Sequence, residues 1–437
     1  MLAPRMSNSL HAILHERYDL CDPDIPNILQ WMRDQEAFSQ FAHGRDPFYT
    51  HLKGTWSMLS NWNQAPDIAR CGLFHSAYTR HGFYFRYFDM NSHSDRSLLA
   101  NVIGTDAEHN VFKYCSAHQM WDVRWYFGAT PTEWKRADDL GMLPPETHWD
   151  DPFDPNLVRM DGSPLNKAGY SFASRVGPNS NTTIHFTPEE VAKYLIVFCA
   201  DLADQQTDVT SYVSVYHPPN DAATRLWPGT GKPGMVNHTI GVSFFSRILK
   251  SSAPFLNRVP SIFNNCTSIQ SQNDEYAARE LYWNANQGEH TLTKEIQEEM
   301  YCQSIVLNPY LAEPRIALCQ LLYNRGEYER ATNECSSALR LLYQWGTQWD
   351  KRMSYGQWIG FARMMHMKSI RKRNGELNSL PSLTMEQAGL HHDANNVTFL
   401  QDVLLEYEKY TEGGTLVVVR ESESESKSES EAASSKL

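Results

Sequence analysis

The sequence predicts an all-α fold, and three observations carry that expectation. Apolar residues recur at helical spacing in four segments between Asn27 and Cys115. A capped and strongly apolar helix follows over Thr187–Gln205. From about residue 275 the chain alternates helix, turn and helix, with small and apolar residues placed as in a repeat.

Residues 1–33 read as a mixed leader, broken by the stretch CDPDIPN. The first helical signal is NILQWMRDQEAF. The second, FYTHLKGTWSMLSNW, puts His51, Thr55, Met58 and Trp62 on one face. The third, PDIARCGLFHSAY, opens with Pro66 and Asp67, both favourable in a first helical turn. Its Ile68, Cys71, Gly72 and His75 share a stripe. The fourth, DRSLLANVIGTDAEHNVFKYC, is expected to break near Gly104.

Residues 128–182 change character, with Pro, Gly, Asp and Asn dominating PPETHWDDPFDPN and DGSPLNKAGYS. The stretch is too long for a plain connection in a compact domain, and reads either as a lid or as a surface insertion. Thr187, Pro188 and Glu190 then form a capping-box arrangement at the start of the next helix. The loop sequence GTGKP lacks the spacing of a phosphate-binding loop, and proline follows its lysine where a helix should begin.

Composition excludes several function classes. The 437 residues include 41% hydrophobic and 12% aromatic residues, enough for a large core in two or three domains. Net charge is -12 with no basic stripe, so nucleic acid is not an expected partner. No run approaches the roughly 18 apolar residues that span a bilayer, and the N-terminal segment has no apolar block suited to secretion. The expectation is a soluble, intracellular protein without a membrane partner. None of the eight cysteines forms a C-x-x-C pair, which argues for buried thiols rather than a structural zinc site.

His51, then the FHS triplet at His75, then VFCADLAD at Asp201 resemble the HD superfamily, and the stringent-response nucleotide hydrolases in layout. The resemblance covers roughly residues 35–210. It implies a helical domain in which His51 and His75 are metal ligands and Asp201 is the terminal carboxylate, with Asp204 as the fallback. The ion implied is a divalent Mn, Fe or Zn, which polarises a phosphoryl group or activates water. Ser76 stands where that superfamily carries an aspartate, and Thr79 and Arg80 stand where the hydrolases carry an acidic pair. Ser76, Glu108 and His109 are the remaining pocket candidates. The chain is also similar to an HD-like subgroup, a domain of unknown function, that reads GLFHS as its ordinary state. A histidine on an apolar helix face also serves as a hydrogen-bonded core residue, so both readings of His51 and His75 stand at this point.

The stretch AEPRIALCQLLYNRGEYERATNECSSALRL resembles a tetratricopeptide repeat through Leu318, Leu322, Gly326, Tyr328, Ala331, Ala338 and Leu339. One repeat cannot bury its own face, so the following segment with Trp345, Trp349, Trp358 and Phe361 is expected to cap it. The resulting organisation is a leader at 1–33 and an HD-like domain at 34–260. A repeat-like module follows at 275–375, then a further segment at 376–419 and a disordered acidic, serine-rich tail at 420–437.

Ser435, Lys436 and Leu437 match the peroxisomal import address, which implies an import receptor as partner in a eukaryote and a cytoplasmic protein otherwise. Two function classes follow. One is a metal-dependent hydrolase or oxygenase acting on a small metabolite. The other is a non-catalytic sensor or scaffold whose repeat-like module binds a peptide or protein.

Overall fold

The computed structural model describes residues 4–43, 46–78, 85, 87–116, 170–173, 183–205, 242–263, 270–287, 291–350 and 353–375. The fold is all-α, as expected. Most of the 128–182 excursion, Thr79, Arg80, the segment 376–419 and the tail with Ser435, Lys436 and Leu437 lie outside the described residues.

The N-terminal half is built from α1 (Asn8–Leu14), α2 (Ile25–Asp34), α3 (Glu36–Gln40), α4 (Phe48–Asn61), α5 (Pro66–Leu73), α6 (His93–Ile103) and α7 (Thr105–Ser116). After them comes α8 (Pro188–Gln205). Two short antiparallel strand pairs accompany these helices, β1 (Ala42–His43) with β2 (Asp46–Pro47) and β3 (Tyr170–Ala173) with β4 (Thr183–Phe186). Helix α4 packs on α5 and α8, and α5 packs on α7 and α8, so three helices meet around one crevice. The expected α4 stripe is real: Thr55, Met58 and Trp62 are buried together with His51.

Local chemistry sets the helix ends. Gly104, at φ +93°, separates α6 from α7, a backbone region that other residues rarely adopt. At α8 the Glu190 amide donates to the Thr187 hydroxyl at 3.2 Å and the Thr187 amide to the Glu190 carboxylate at 2.9 Å, a complete capping box. Helix α5 stops at Leu73, earlier than its apolar stripe suggests, and His75 lies in the turn beyond it.

The C-terminal half begins with α9 (Val242–Ser252), whose first amides, Val242 and Ser243, donate to the buried Glu275 carboxylate at 2.7 and 2.9 Å. The stack continues through α10 (Gln272–Gln287), α11 (Lys294–Leu307), α12 (Glu313–Asn324), α13 (Tyr328–Trp345) and α14 (Tyr355–Arg373). Each of these five helices packs against the next. Trp345, Trp349 and Trp358 are buried, and the indole nitrogens of Trp345 and Trp358 donate to the carbonyls of Tyr310 and Asp350 at 2.8 Å each.

The two halves share a core. One continuous apolar cluster runs from Ile25 to Met365, and the Trp62 indole donates to the Trp345 carbonyl at 3.0 Å. The segment that reads as a leader belongs to that core. Ile25, Ile28, Leu29 and Met32 on α2 are buried in it, and Leu10 on α1 is buried among Ile316, Leu339 and Ile359 of the stack. Fully burying side chains of this size is worth about 1.5–3 kcal/mol each, enough to fix both helices in place.

Candidate metal centre

Three helices bring three distant side chains to one point. His51 lies in the first turn of α4, His75 two residues past α5, and Asp201 near the end of α8. Their solvent exposures are 4%, 1% and 1%. Asp201 Oδ1 is 3.3 Å from His51 Nε2 and 3.5 Å from His75 Nε2. The rings stand nearly perpendicular, with centroids 5.3 Å apart at 83°. One ligand atom from each residue lies within 4.8 Å of the other two, and this is the group of His, Cys, Asp or Glu among the described residues that could hold an ion.

The sequence positions each group by a separate device. In a continued helix, the Gly72 carbonyl would accept from the Ser76 amide. Where α5 ends, the His75 side chain takes that role, with Nδ1 donating to Gly72 O at 2.7 Å. A carbonyl only accepts, so Nδ1 carries the hydrogen, and Nε2 is the ring nitrogen left facing Asp201, where it can offer a lone pair to an ion. The Cys115 thiol on α7 donates to the His75 carbonyl at 3.2 Å and steadies the turn. Gly72 itself lets α5 sit close on α4, since a Cβ there would lie 2.2 Å from Leu59 Cδ1.

On the other side of the crevice, His51 Nδ1 is 2.8 Å from Asp204 Oδ2. Burial opposes charge on His51, but the carboxylates of Asp201 and Asp204 outweigh it and push the pKa up to about 9. At neutral pH the ion-free ring is therefore an imidazolium between two aspartates. A divalent cation would take the place of its Nε2 proton. Phe48 and Tyr114 wall the crevice, with ring centroids 5.8 Å from His51 and 6.3 Å from His75.

The donor set fits an ion of the expected kind. Two imidazoles and one carboxylate suit Zn or Fe(II), and Mn through the carboxylate. Ligands about 2.1 Å from a tetrahedral ion stand about 3.4 Å apart, close to the two Nε2–Oδ1 separations in this crevice.

The other candidates have separate positions. Ser76 is buried in the turn after His75, outside the three-donor group. Glu108 is buried on α7, where Tyr78 donates to it at 2.7 Å and Arg96 holds both its oxygens at 2.8 and 3.0 Å. It thereby ties α6 and α7 to the turn rather than joining the donors. His109 is exposed on α7. Asp204, considered in the sequence only as a substitute for Asp201, acts beside it. The i, i+3 spacing of the two aspartates was the available signal, because it sets both on one helix face.

A family described as Domain of unknown function (DUF6817) matches residues 31–119. That stretch holds the last turn of α2 and all of α3 to α7, with His51 and His75, and Asp201 lies beyond it. No curated protein and no solved structure matches the chain.

Proposed function

We propose that this chain is a metal-dependent enzyme of HD-like architecture, in which His51, His75 and Asp201 hold a divalent Mn, Fe or Zn ion, acting as a hydrolase or oxygenase on a small metabolite. The observation that supports it is the meeting of two Nε2 atoms and one carboxylate oxygen, from α4, the turn after α5 and α8, inside an apolar crevice. Such an ion, when bound, supplies Lewis acidity that polarises a substrate oxygen or acidifies a bound water. The chain supplies the rest. Asp201 contributes the only negative charge among the three donors. The Gly72 carbonyl fixes the tautomer of His75. The aromatic walls exclude bulk water and strengthen every electrostatic contact inside.

Elemental analysis of the purified full-length protein tests the reading. We expect about one equivalent of Mn, Fe or Zn, lost in His75→Ala. Less than a tenth of an equivalent after supplementation removes the basis for metal chemistry.

The contacts of His51 with Asp201 and Asp204, at 3.3 and 2.8 Å, favour a second reading, in which the ring alone clamps α4 to α8 between the two carboxylates. The body would then be a scaffold or ligand sensor, with the tetratricopeptide-like helices α10 to α14 offered to a peptide or protein. The same analysis separates the two, because only this reading survives a metal-free wild type.

A further inference from the structure

Resting on the metal-centre reading, we propose that Asp204 is a positioning residue of that centre, seated in the space left by Gly54, and that it sets how tightly an ion is held without touching the ion.

Three observations carry this. Asp204 Oδ2 lies 2.8 Å from His51 Nδ1, the ring nitrogen opposite the one that faces Asp201. Asp204 can reach it only because α4 carries no side chain at Gly54. A Cβ there would lie 2.0 Å from Asp204 Oδ1, 2.6 Å from its Cγ and 2.8 Å from Oδ2. The side chains of Asp201 and Asp204 are 1% and 18% exposed, so the inner aspartate sits in the crevice and the outer one at its edge.

The physical roles follow from the imidazole. The ring turns about χ2, and nothing in the bond itself fixes which edge faces Asp201. An acceptor on Nδ1 fixes the hydrogen there and aims the Nε2 lone pair inward. A charged acceptor also makes the ring a stronger donor, and removal of such outer partners typically costs 10–100-fold in metal affinity. Glycine inside a helix costs about 1 kcal/mol relative to alanine, so a glycine one turn from His51 has a packing purpose, and the carboxylate seat supplies it.

Competition of full-length protein with a fluorescent chelator for Zn or Mn reads the effect directly. Asp204→Ala is expected to weaken binding about 10–100-fold. Asp204→Asn keeps an acceptor without the charge and should fall between Ala and wild type. Gly54→Ala should approach the Asp204→Ala affinity with the carboxylate still present. If Gly54 acts through Asp204, adding Gly54→Ala to Asp204→Ala costs nothing further. Histidine ¹⁵N–¹H spectra should show the Nδ1 proton of His51 in wild type and its loss in both single alanine variants, which reports the contact, while the graded metal affinity of the Ala and Asn variants reports the positioning role that a purely structural clamp would not show. A loaded wild type with an unchanged Asp204→Ala affinity overturns this proposal alone. Equal losses from Gly54→Ala in both backgrounds overturn the role of the seat. A wild type that takes up no metal overturns both this proposal and the reading beneath it. Should Gly54→Ala fail to fold, the two Asp204 variants decide the matter.

Discussion

Two buried histidines, one in each half of the molecule, titrate in opposite directions. His51 on α4 is pushed up to about 9, since Asp201 and Asp204 outweigh its burial. His366 on α14 is pushed down to about 4, by burial first and then by the cations Arg373 and Arg363. The contrast extends to their surroundings. In the C-terminal stack several buried polar side chains serve the backbone. Glu313 accepts the amides of Trp349 and Asp350 at 2.6 and 3.1 Å, Gln297 donates to the Ala285 carbonyl at 3.2 Å, and Ser304 to the Ala278 carbonyl at 2.8 Å. In the N-terminal body, His51, His75 and Asp201 turn toward one another from helices far apart in sequence. Buried polarity alone therefore does not mark a site. Convergence of ligand atoms does, because helix capping, loop closure and ion pairs such as Arg96–Glu108 do not require it.

The largest test of that contrast is Asp201→Ala. Removing Asp201 leaves the buried Nε2 of His51 without its carboxylate while Asp204 still holds Nδ1, a loss of about 3 kcal/mol. We expect the variant to lose that much in urea unfolding and to lose metal as well. Retention of wild-type stability would place Asp201 with the backbone-serving polar residues of the stack.

His366 sharpens the same comparison through pH. Its folded pKa of about 4 lies below the ordinary value of 6.5, so the folded state binds the proton less well than the unfolded state. The group costs nothing above about pH 7. Stability falls as the pH drops from about 6.5 toward 4, reaching a loss of roughly 2 kcal/mol near pH 5. His366→Gln should remove that part of the acid sensitivity, read as a shallower fall of the urea midpoint between pH 7 and 5. An unchanged pH profile would show that the folded state binds this proton as well as the unfolded chain does.

Much of the body was legible in the sequence, and the limits have physical causes. The capping box at Thr187 and Glu190 and the break at Gly104 are local, and each appears where its residues predict. The grouping of His51, His75 and Asp201 came from a family resemblance, since periodicity along one helix carries no information about which other helix it faces. Two expectations were displaced by tertiary contacts. The segment 1–33 reads as a mixed leader broken at CDPDIPN, yet α1 docks on the distant stack through Leu10. His75 reads as the last member of the α5 stripe, yet its own side chain ends the helix by taking the Gly72 carbonyl. Glu108 looked like a crevice residue by its position. Its partners Arg96 and Tyr78 lie 12 and 30 residues away, and no spacing rule pairs them with it.

The smallest effects come from a pair of helical glycines, one in each half. At Gly72 in α5 a methyl group would lie 2.2 Å from Leu59 Cδ1 and 3.3 Å from Thr55 Cγ2. Gly72→Ala must push α5 off α4 or force Leu59 into another rotamer, and overpacking of this kind costs about 1–3 kcal/mol. It should also move His75 away from Asp201, because the carbonyl that holds His75 belongs to Gly72. At Gly356 in the first turn of α14, a methyl group meets nothing within 4 Å. Gly356→Ala then acts mainly on the unfolded chain, narrowing its backbone freedom, and should stabilise by roughly 0.4–1 kcal/mol. Thermal unfolding of the two variants side by side gives opposite signs if the halves differ as described. Equal destabilisation would mean that the stack is as tightly fitted at Gly356 as the crevice is at Gly72. Two neutral results would mean that α5 can yield at no cost, and the close approach of α4 and α5 would then play no part in holding His75 against Asp201.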